Sequence, residues 1–236
     1  MSKIHVVGDS HVMLFTGQKN LPFLLEVPTN DTEANEYDLF TEFDTFFCVL
    51  LRAFYFQYPS ERSQTDAAFN IIQQQPIGDN ILIVTGEIDC RGPIVNLVRK
   101  DLSTLNDAVE LCVERYMTGI ARIKELGYNP IIWSPTPNQY AEEALQEGIK
   151  QHIGVPEDLS VDEWFDLKNQ IVLKFDQLLK QTDYPIISFV DWIFQDGIQY
   201  DRSYWGDLIH LNEKCWSQIP VEFEKIGINI TLEMNE

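Results

Sequence analysis

Short apolar runs rich in β-branched residues recur along the chain and alternate with segments of helical periodicity. The clearest run spans residues 80–85, Asn-Ile-Leu-Ile-Val-Thr, and is typical of a strand at the centre of a parallel sheet, where both faces are buried. Further strands are predicted over residues 4–7, 131–133 and 185–190. Strands that alternate with helices at this spacing predict an α/β fold, in which helices cover both faces of a parallel sheet.

The intervening segments carry apolar residues at helical spacing and recognisable helix ends. Gly127 is expected to end one of these helices, and Ser160 with Glu163 forms a capping box at the start of another. Helices are predicted over residues 66–75, 103–126, 141–152 and 162–181.

Three segments are less regular. Residues 44–58 fit a helix, although a strand over 46–51 fits as well. Residues 11–43 are rich in proline and polar side chains and are expected to form a long loop with short elements. Asn212 can cap a closing helix that Pro220 kinks or interrupts.

The acidic composition limits the partners that the chain can bind. A chain of 236 residues with 44% apolar content predicts a single domain over residues 1–236. Its formal net charge of −20 disfavours nucleic acid and anionic membranes as partners, because both repel an acidic surface. No apolar run approaches the ~18 residues of a membrane span. Because no basic and apolar leader precedes the first strand, a cytoplasmic location is expected.

The four cysteines and four histidines are scattered along the chain. No Cys-x-x-Cys pair and no zinc-ligand spacing occur, so buried free thiols in a reducing compartment are expected rather than a disulfide framework. The scatter gives no support for a metal site, and we expect neither a metal nor an organic cofactor.

A serine follows the first predicted strand directly. Gly8-Asp9-Ser10-His11 continues the apolar run 4–7, and open α/β sheets build their sites just past the carboxyl ends of their strands. Gly-Asp-Ser is also a common turn, in which Ser10 would only cap a helix. The position after a strand favours the functional interpretation.

An aspartate and a histidine lie three residues apart in Asp207-Leu208-Ile209-His210. Both side chains can therefore leave the same side of one turn. A carboxylate that orients an imidazole, and an imidazole that takes the proton of a serine hydroxyl, make up a Ser-His-Asp triad. Taken alone, the pair also fits a solvated turn, but together with Ser10 it predicts a catalytic centre.

A third block, Gly86-Glu87-Ile88-Asp89-Cys90-Arg91, follows the clearest strand. Gly86 allows a sharp turn and a close approach of the backbone to a ligand. Arg91 is a candidate for stabilising negative charge or for binding a carboxylate or phosphate. The alternative is an ion pair of Arg91 with Glu87 or Asp89 that only stiffens the segment.

The three blocks together resemble the SGNH (GDSL-like) hydrolases. The resemblance covers the whole chain in element order and implies a flavodoxin-like three-layer α/β/α sandwich. It implies Ser10 as nucleophile, His210 as general base and then acid, and Asp207 as the residue that orients His210. The backbone N–H of Ser10 would then form part of the oxyanion hole.

The third block departs from the pattern of this superfamily. Ile88 stands where the superfamily has an asparagine that donates to the oxyanion, and an isoleucine side chain has no donor. Arg91 and His11 are candidates to replace it. The residues expected to contact the oxyanion or the substrate are Asp9, His11, Gly86, Glu87 and Arg91.

The resulting prediction is a serine esterase, or an O-acyl hydrolase or transferase, with acetyl esters as the expected substrates. The same blocks resemble a subgroup associated with bacterial surface polysaccharides, which implies a carbohydrate ester as substrate. Trp192, Tyr200, Tyr204 and Trp205 are candidates for a wall that stacks on sugars, although ordinary packing explains them as well. One alternative is a non-catalytic binding or scaffold protein, which Ile88 favours. Another is a phosphate-binding domain, which the absence of a glycine-rich first loop disfavours.

Overall fold

A five-stranded parallel sheet forms the centre of the molecule in the computed structural model, which describes residues 3–17, 40–48, 51–58, 63–137, 155–195, 201–205 and 209–233. The strand order is β2-β1-β3-β4-β5, and every pair is parallel. This is the order of the flavodoxin-like doubly wound sheet. The strands are β1 (Ile4–Gly8), β2 (Phe43–Phe47), β3 (Asn80–Val84), β4 (Asn129–Trp133) and β5 (Ile186–Ile187).

Helices connect the strands and cover the sheet. In the described parts of the chain they are α1 (Ser63–Gln73), α2 (Glu87–Arg91), α3 (Pro93–Arg99), α4 (Leu105–Glu125), α5 (Val161–Leu179), α6 (Val190–Gln195) and α7 (Gln218–Lys225). The described residues also contain 3-10 turns at Ser10–Phe15, Ala53–Tyr55, Arg202–Tyr204 and Glu213–Cys215.

The sheet is apolar on both faces, and each face has its own core. In β3, Ile81 and Ile83 contribute to one core, whereas Leu82 and Val84 contribute to the other. Helices α1, α4 and α5 pack on the first face, and α7 with the Ser10–Phe15 turn packs on the second. The alternation of side chains along a strand therefore produces three layers, and the predicted α/β/α sandwich is confirmed.

Several element boundaries differ from those predicted. The described part of residues 44–58 contains the end of strand β2 and a 3-10 turn, so the strand interpretation is closer than the helical one. The strand predicted over 185–190 was too long, because Ser188 Oγ accepts from the Val190 N–H at 3.3 Å and α6 begins there. In the block 86–91, residues Glu87–Arg91 form the short helix α2, and Gly86 is its N-cap.

The predicted helix ends agree better with the structure than these element boundaries do. Gly127 has a φ of 96° after α4, and Ser160 and Glu163 form the capping box of α5. Asn212 caps a 3-10 turn rather than a long helix, and Pro220 lies in the first turn of α7, where its missing N–H has no helical partner to lose. The helix predicted over 141–152, and residues 18–39 of the predicted long loop, lie outside the described residues.

All four cysteines are buried and free, as the sequence predicts. Among the described helices, none combines the length and the apolar character that crossing a bilayer requires.

Candidate active site

Strand β1 ends where three strands come unusually close. A Cβ atom on Gly8 would lie 2.0 Å from the Val84 carbonyl oxygen, so only glycine fits this position. The backbone is held on both sides, since the Asp9 N–H donates to Val84 O at 2.9 Å and the Cys48 N–H donates to Gly8 O at 2.6 Å. This packing fixes the point at which the chain leaves the sheet and places Ser10 at its carboxyl edge.

Ser10 begins a 3-10 turn that Asp9 caps. The Asp9 side chain accepts from the backbone N–H of His11 at 3.0 Å. As the first residue of the turn, Ser10 has a backbone N–H without a helical acceptor. Ser10 is half-buried, whereas Asp9 and His11 are buried.

His210 meets Ser10 across the edge of the sheet. The distance from Ser10 Oγ to His210 Nε2 is 2.7 Å, although 200 residues separate them in sequence. Buried Ile209 and the bridge of Leu211 with Trp205 anchor the segment that carries His210. The sequence predicted this serine and this histidine as partners. Asp207 lies outside the described residues.

A pocket of about 240 Å³ opens at this pair. Apart from the serine and two histidines, its wall is apolar. The residues that line it are Ser10, His11, Met13, Leu14, Trp133, His210 and Leu211. Part of this volume is open solvent at the mouth of the pocket, and the apolar wall beside the serine suits a small group.

His11 is a second histidine beside Ser10. Its Nδ1 lies 3.0 Å from Asp9 Oδ1, and its ring centroid lies 4.7 Å from that of His210. Its Nε2 is buried and has no hydrogen-bond partner in the part of the chain that the structure describes. Burial disfavours the charged ring, but the carboxylates of Asp9 and Glu87 outweigh it and raise the pKa of His11 above its ordinary value.

Glu87 is the centre of a buried ionic cluster behind the pocket. Its carboxylate lies 2.8 Å from Arg91 Nε and 3.0 Å from Lys168 Nζ. Burial works against the ionised form, yet Lys168, Arg91 and His11 together lower the pKa of Glu87 to about 2. Of the two roles considered for Arg91, the structure therefore contains the ion pair with Glu87.

Asp89, the other buried acidic residue of α2, pairs with a different cation. Asp89 accepts from Arg52 Nε at 3.1 Å and from the Ala53 N–H at 2.8 Å, not from Arg91. Burial raises the pKa of Asp89 to about 6, despite the opposing effect of Arg52. This carboxylate ties α2 to the segment after β2.

The structure therefore separates the predicted site residues into two groups. Ser10, His11 and His210 line the pocket, with Asp9 directly behind His11. Gly86, Glu87 and Arg91 do not line it. Gly86 has a φ of 105°, and a Cβ there would lie 2.9 Å from Pro135 Cγ, so it serves the turn into α2.

Lys168 is a residue of this cluster that the sequence analysis missed. It is fully buried in α5, among apolar positions that include Trp164, Ile171 and Val172. A lysine on the apolar face of an amphipathic helix is the signal that points to a buried acidic partner.

The aromatic residues before His210 pack mainly on each other. Trp192 and Tyr204 meet edge to face at 5.6 Å, and Trp192 also contacts Phe189. Trp205 is buried, which leaves it little surface for stacking on a sugar. Tyr200 lies outside the described residues.

No protein-family profile matches the chain, and no curated protein matches it. Among solved structures, the chain is similar to the crystal structure of YxiM from Bacillus subtilis, with a TM-score of 0.46 and 16% sequence identity. The similarity covers 96% of this chain and 57% of YxiM, so the chain spans just over half of the length of that protein.

Proposed function

We propose that the protein is a serine hydrolase of the SGNH type, which cleaves a small acyl group from an ester. The observation that supports this most directly is the distance of 2.7 Å between Ser10 Oγ and His210 Nε2 at the mouth of a small pocket. A serine hydroxyl within hydrogen-bond reach of an imidazole is the arrangement that activates a nucleophile.

The chemistry follows from this pair. Ser10 Oγ attacks the ester carbonyl carbon while its proton moves to His210 Nε2, and the carbonyl electron pair moves onto oxygen. When the C–O bond to the alcohol breaks, the protonated His210 gives its proton to the leaving oxygen. Water, or a second alcohol, then attacks the acyl-Ser10 carbonyl carbon while its proton moves to His210. The bond from the acyl carbon to Ser10 Oγ breaks, His210 returns the proton to Oγ, and the acid or new ester leaves. In this scheme Asp207 orients His210.

The pocket supports a short acyl group as the part of the substrate that enters. Met13, Leu14 and Leu211 give the wall next to Ser10 an apolar surface, which suits the methyl group of an acetyl or similar short acyl chain. An O-acetyl ester, for which the sequence resemblance suggests a carbohydrate alcohol, is therefore our proposed substrate class.

The test is turnover of p-nitrophenyl acetate by the wild type and by Ser10→Ala and His210→Ala. Each variant removes one participant in the proton transfer, so we expect both to lose roughly 10⁴-fold or more in kcat and to fall to the background rate. Ser203→Ala, which removes a serine hydroxyl from a turn outside the pocket lining, serves as the control and should retain wild-type turnover.

A non-catalytic binding protein is the competing proposal, and Ile88 favours it because that side chain cannot donate to an oxyanion. A fluorophosphonate probe separates the two. Labelling at Ser10 in the wild type, absent in Ser10→Ala, supports the hydrolase. Equal esterase rates in all variants with no label on Ser10 would favour the binding protein.

A further inference from the structure

A serine hydrolase must stabilise the negative charge that develops on the carbonyl oxygen. Removing one donor to this oxygen typically costs 10²–10³-fold in kcat, so the donors are essential parts of the site. Arg91 is engaged by Glu87 at 2.8 Å and does not line the pocket, which leaves His11 as the sequence candidate that faces Ser10.

Asp9 fixes the orientation of the His11 ring. A carboxylate only accepts hydrogen bonds, so the 3.0 Å contact with Asp9 Oδ1 requires a proton on Nδ1 of His11. Nε2 lies on the opposite side of the imidazole, away from Asp9. It is buried and has no partner among the described residues, in a side chain that is only 6% exposed and lines the Ser10 pocket.

A buried polar atom without a partner requires an explanation, and a ligand atom that arrives with the substrate supplies one. The indole N–H of Trp133 is a second such atom in a pocket-lining residue. It is a neutral donor, however, whereas a charged donor makes hydrogen bonds to an anion that are roughly twice as strong.

The charges around His11 favour its cationic form. Asp9 and Glu87 raise its pKa, Lys168 opposes them in part, and the centroid of the His210 ring lies 4.7 Å from that of His11. Burial acts against the cation, but the net pKa is raised. As an imidazolium, His11 carries a proton on Nε2 as well as on Nδ1.

We propose that His11 is a catalytic residue whose Nε2–H, held in place by Asp9, donates to the ester carbonyl oxygen as that oxygen becomes negative. This inference rests on the proposed hydrolase function. It requires opposite protonation states of the two neighbouring histidines. His210 must be neutral to accept the Ser10 proton, and His11 must be charged to donate to the oxyanion.

This pairing predicts a bell-shaped pH profile. Turnover should fall in acid as His210 becomes protonated, and fall again in alkali as His11 loses its Nε2 proton. A glutamine at position 11 retains a neutral donor but cannot titrate. His11→Gln should therefore remove the alkaline limb, which a purely structural histidine would not control.

The experiment measures p-nitrophenyl acetate kinetics from pH 5 to 10 for the full chain and for His11→Gln. We expect kcat to fall 10²–10³-fold at the wild-type optimum, with a smaller change in KM, and the alkaline limb to disappear. A kcat within threefold of the wild type, or an unchanged alkaline limb, would overturn the proposal.

Two further measurements test the proposal even if His11→Gln does not fold. Nitrogen NMR of the wild type follows the His11 ring directly, and a neutral His11 at the pH of maximal turnover would overturn the proposal. Asp9→Asn keeps His11 but removes its carboxylate, so the alkaline limb should move to lower pH. Fluorophosphonate labelling of Ser10 in the wild type reports the hydrolase function separately, because absence of the label with background turnover means that the proposed function itself has failed.

Discussion

At the scale of single residues, the most unusual feature near the candidate site is a pair of opposite charges that is buried away from water. Glu87 is 2% exposed and Lys168, in α5, is 0% exposed, and their side chains meet at 3.0 Å. Transferring such charges into the interior is costly, and their mutual attraction compensates only while both are present. The two residues therefore depend on each other more than surface ion pairs do.

We predict that Lys168→Met destabilises the protein by about 3 kcal/mol, because it removes one of the two cations that pair with the buried Glu87 carboxylate. Urea unfolding followed by circular dichroism measures the change. Lys174→Met on the same helix is the matched control. Its Nζ lies 3.6 Å from the half-exposed Glu110, so we expect a loss below about 1 kcal/mol. Equal losses in the two variants would contradict the prediction.

At the scale of elements, α4 packs directly on the chain that follows β2. The contact occurs at Gly119, where a Cβ atom would lie 2.5 Å from the carbonyl oxygen of Phe56. Phe56 also packs edge to face on Tyr116, one turn earlier in α4. The absence of a side chain at Gly119 lets the backbone of the Phe56 segment reach the helix.

Alanine is favoured over glycine in a helix interior by about 1 kcal/mol, yet we predict that Gly119→Ala is destabilising. The added methyl group must displace the backbone at Phe56, and such overpacking costs roughly 1–3 kcal/mol. Thermal unfolding compared with Thr118→Ala, an exposed neighbour on α4, isolates the effect. A Gly119→Ala protein as stable as that control would refute the close contact.

The elements also show which parts of the structure can be predicted from the sequence. Strands β1, β3 and β4 and helices α4 and α5 follow from local periodicity and capping residues, and a parallel sheet covered by helices follows from their alternation. The end of β5 depends on the single contact of Ser188 with Val190, which no periodicity reveals.

The candidate site, like the fold, could be predicted from the sequence only in part. Ser10 and His210 follow from short blocks beside strand signals, and the structure brings them to 2.7 Å. The partners of Glu87 and Asp89 were not predictable in full, since Lys168 and Arg52 come from distant segments that only the folded chain places nearby.

At the scale of the whole molecule, stability depends on pH through buried carboxylates of opposite character. Asp89 has a pKa raised to about 6 by burial, so the folded state binds more protons than the unfolded state between about pH 4 and 6. Its contribution to stability is therefore present below about pH 4 and is lost as the pH rises through 6. Glu87, whose pKa is lowered to about 2, loses its contribution at the acid end instead.

Asp89→Asn removes the first of these contributions. We predict that the stability of the wild type relative to this variant decreases as the pH rises from 4 to 7, in urea unfolding at each pH. Asp66→Asn, at an exposed position in the first turn of α1, is the control and should show no such trend. A constant difference between wild type and Asp89→Asn across this range would contradict the assignment.

The 200 residues that separate Ser10 from His210 also have a consequence for the order of events during synthesis. At a ribosomal rate of about 5–20 residues per second, the second residue is made roughly 10–40 s after the first. A nascent chain that already holds β1 and its serine still lacks His210, the imidazole proposed to accept the hydroxyl proton. Reactivity at Ser10 would therefore arise only after the last layer of the sandwich has docked, so that acylation of this serine reports a completed fold.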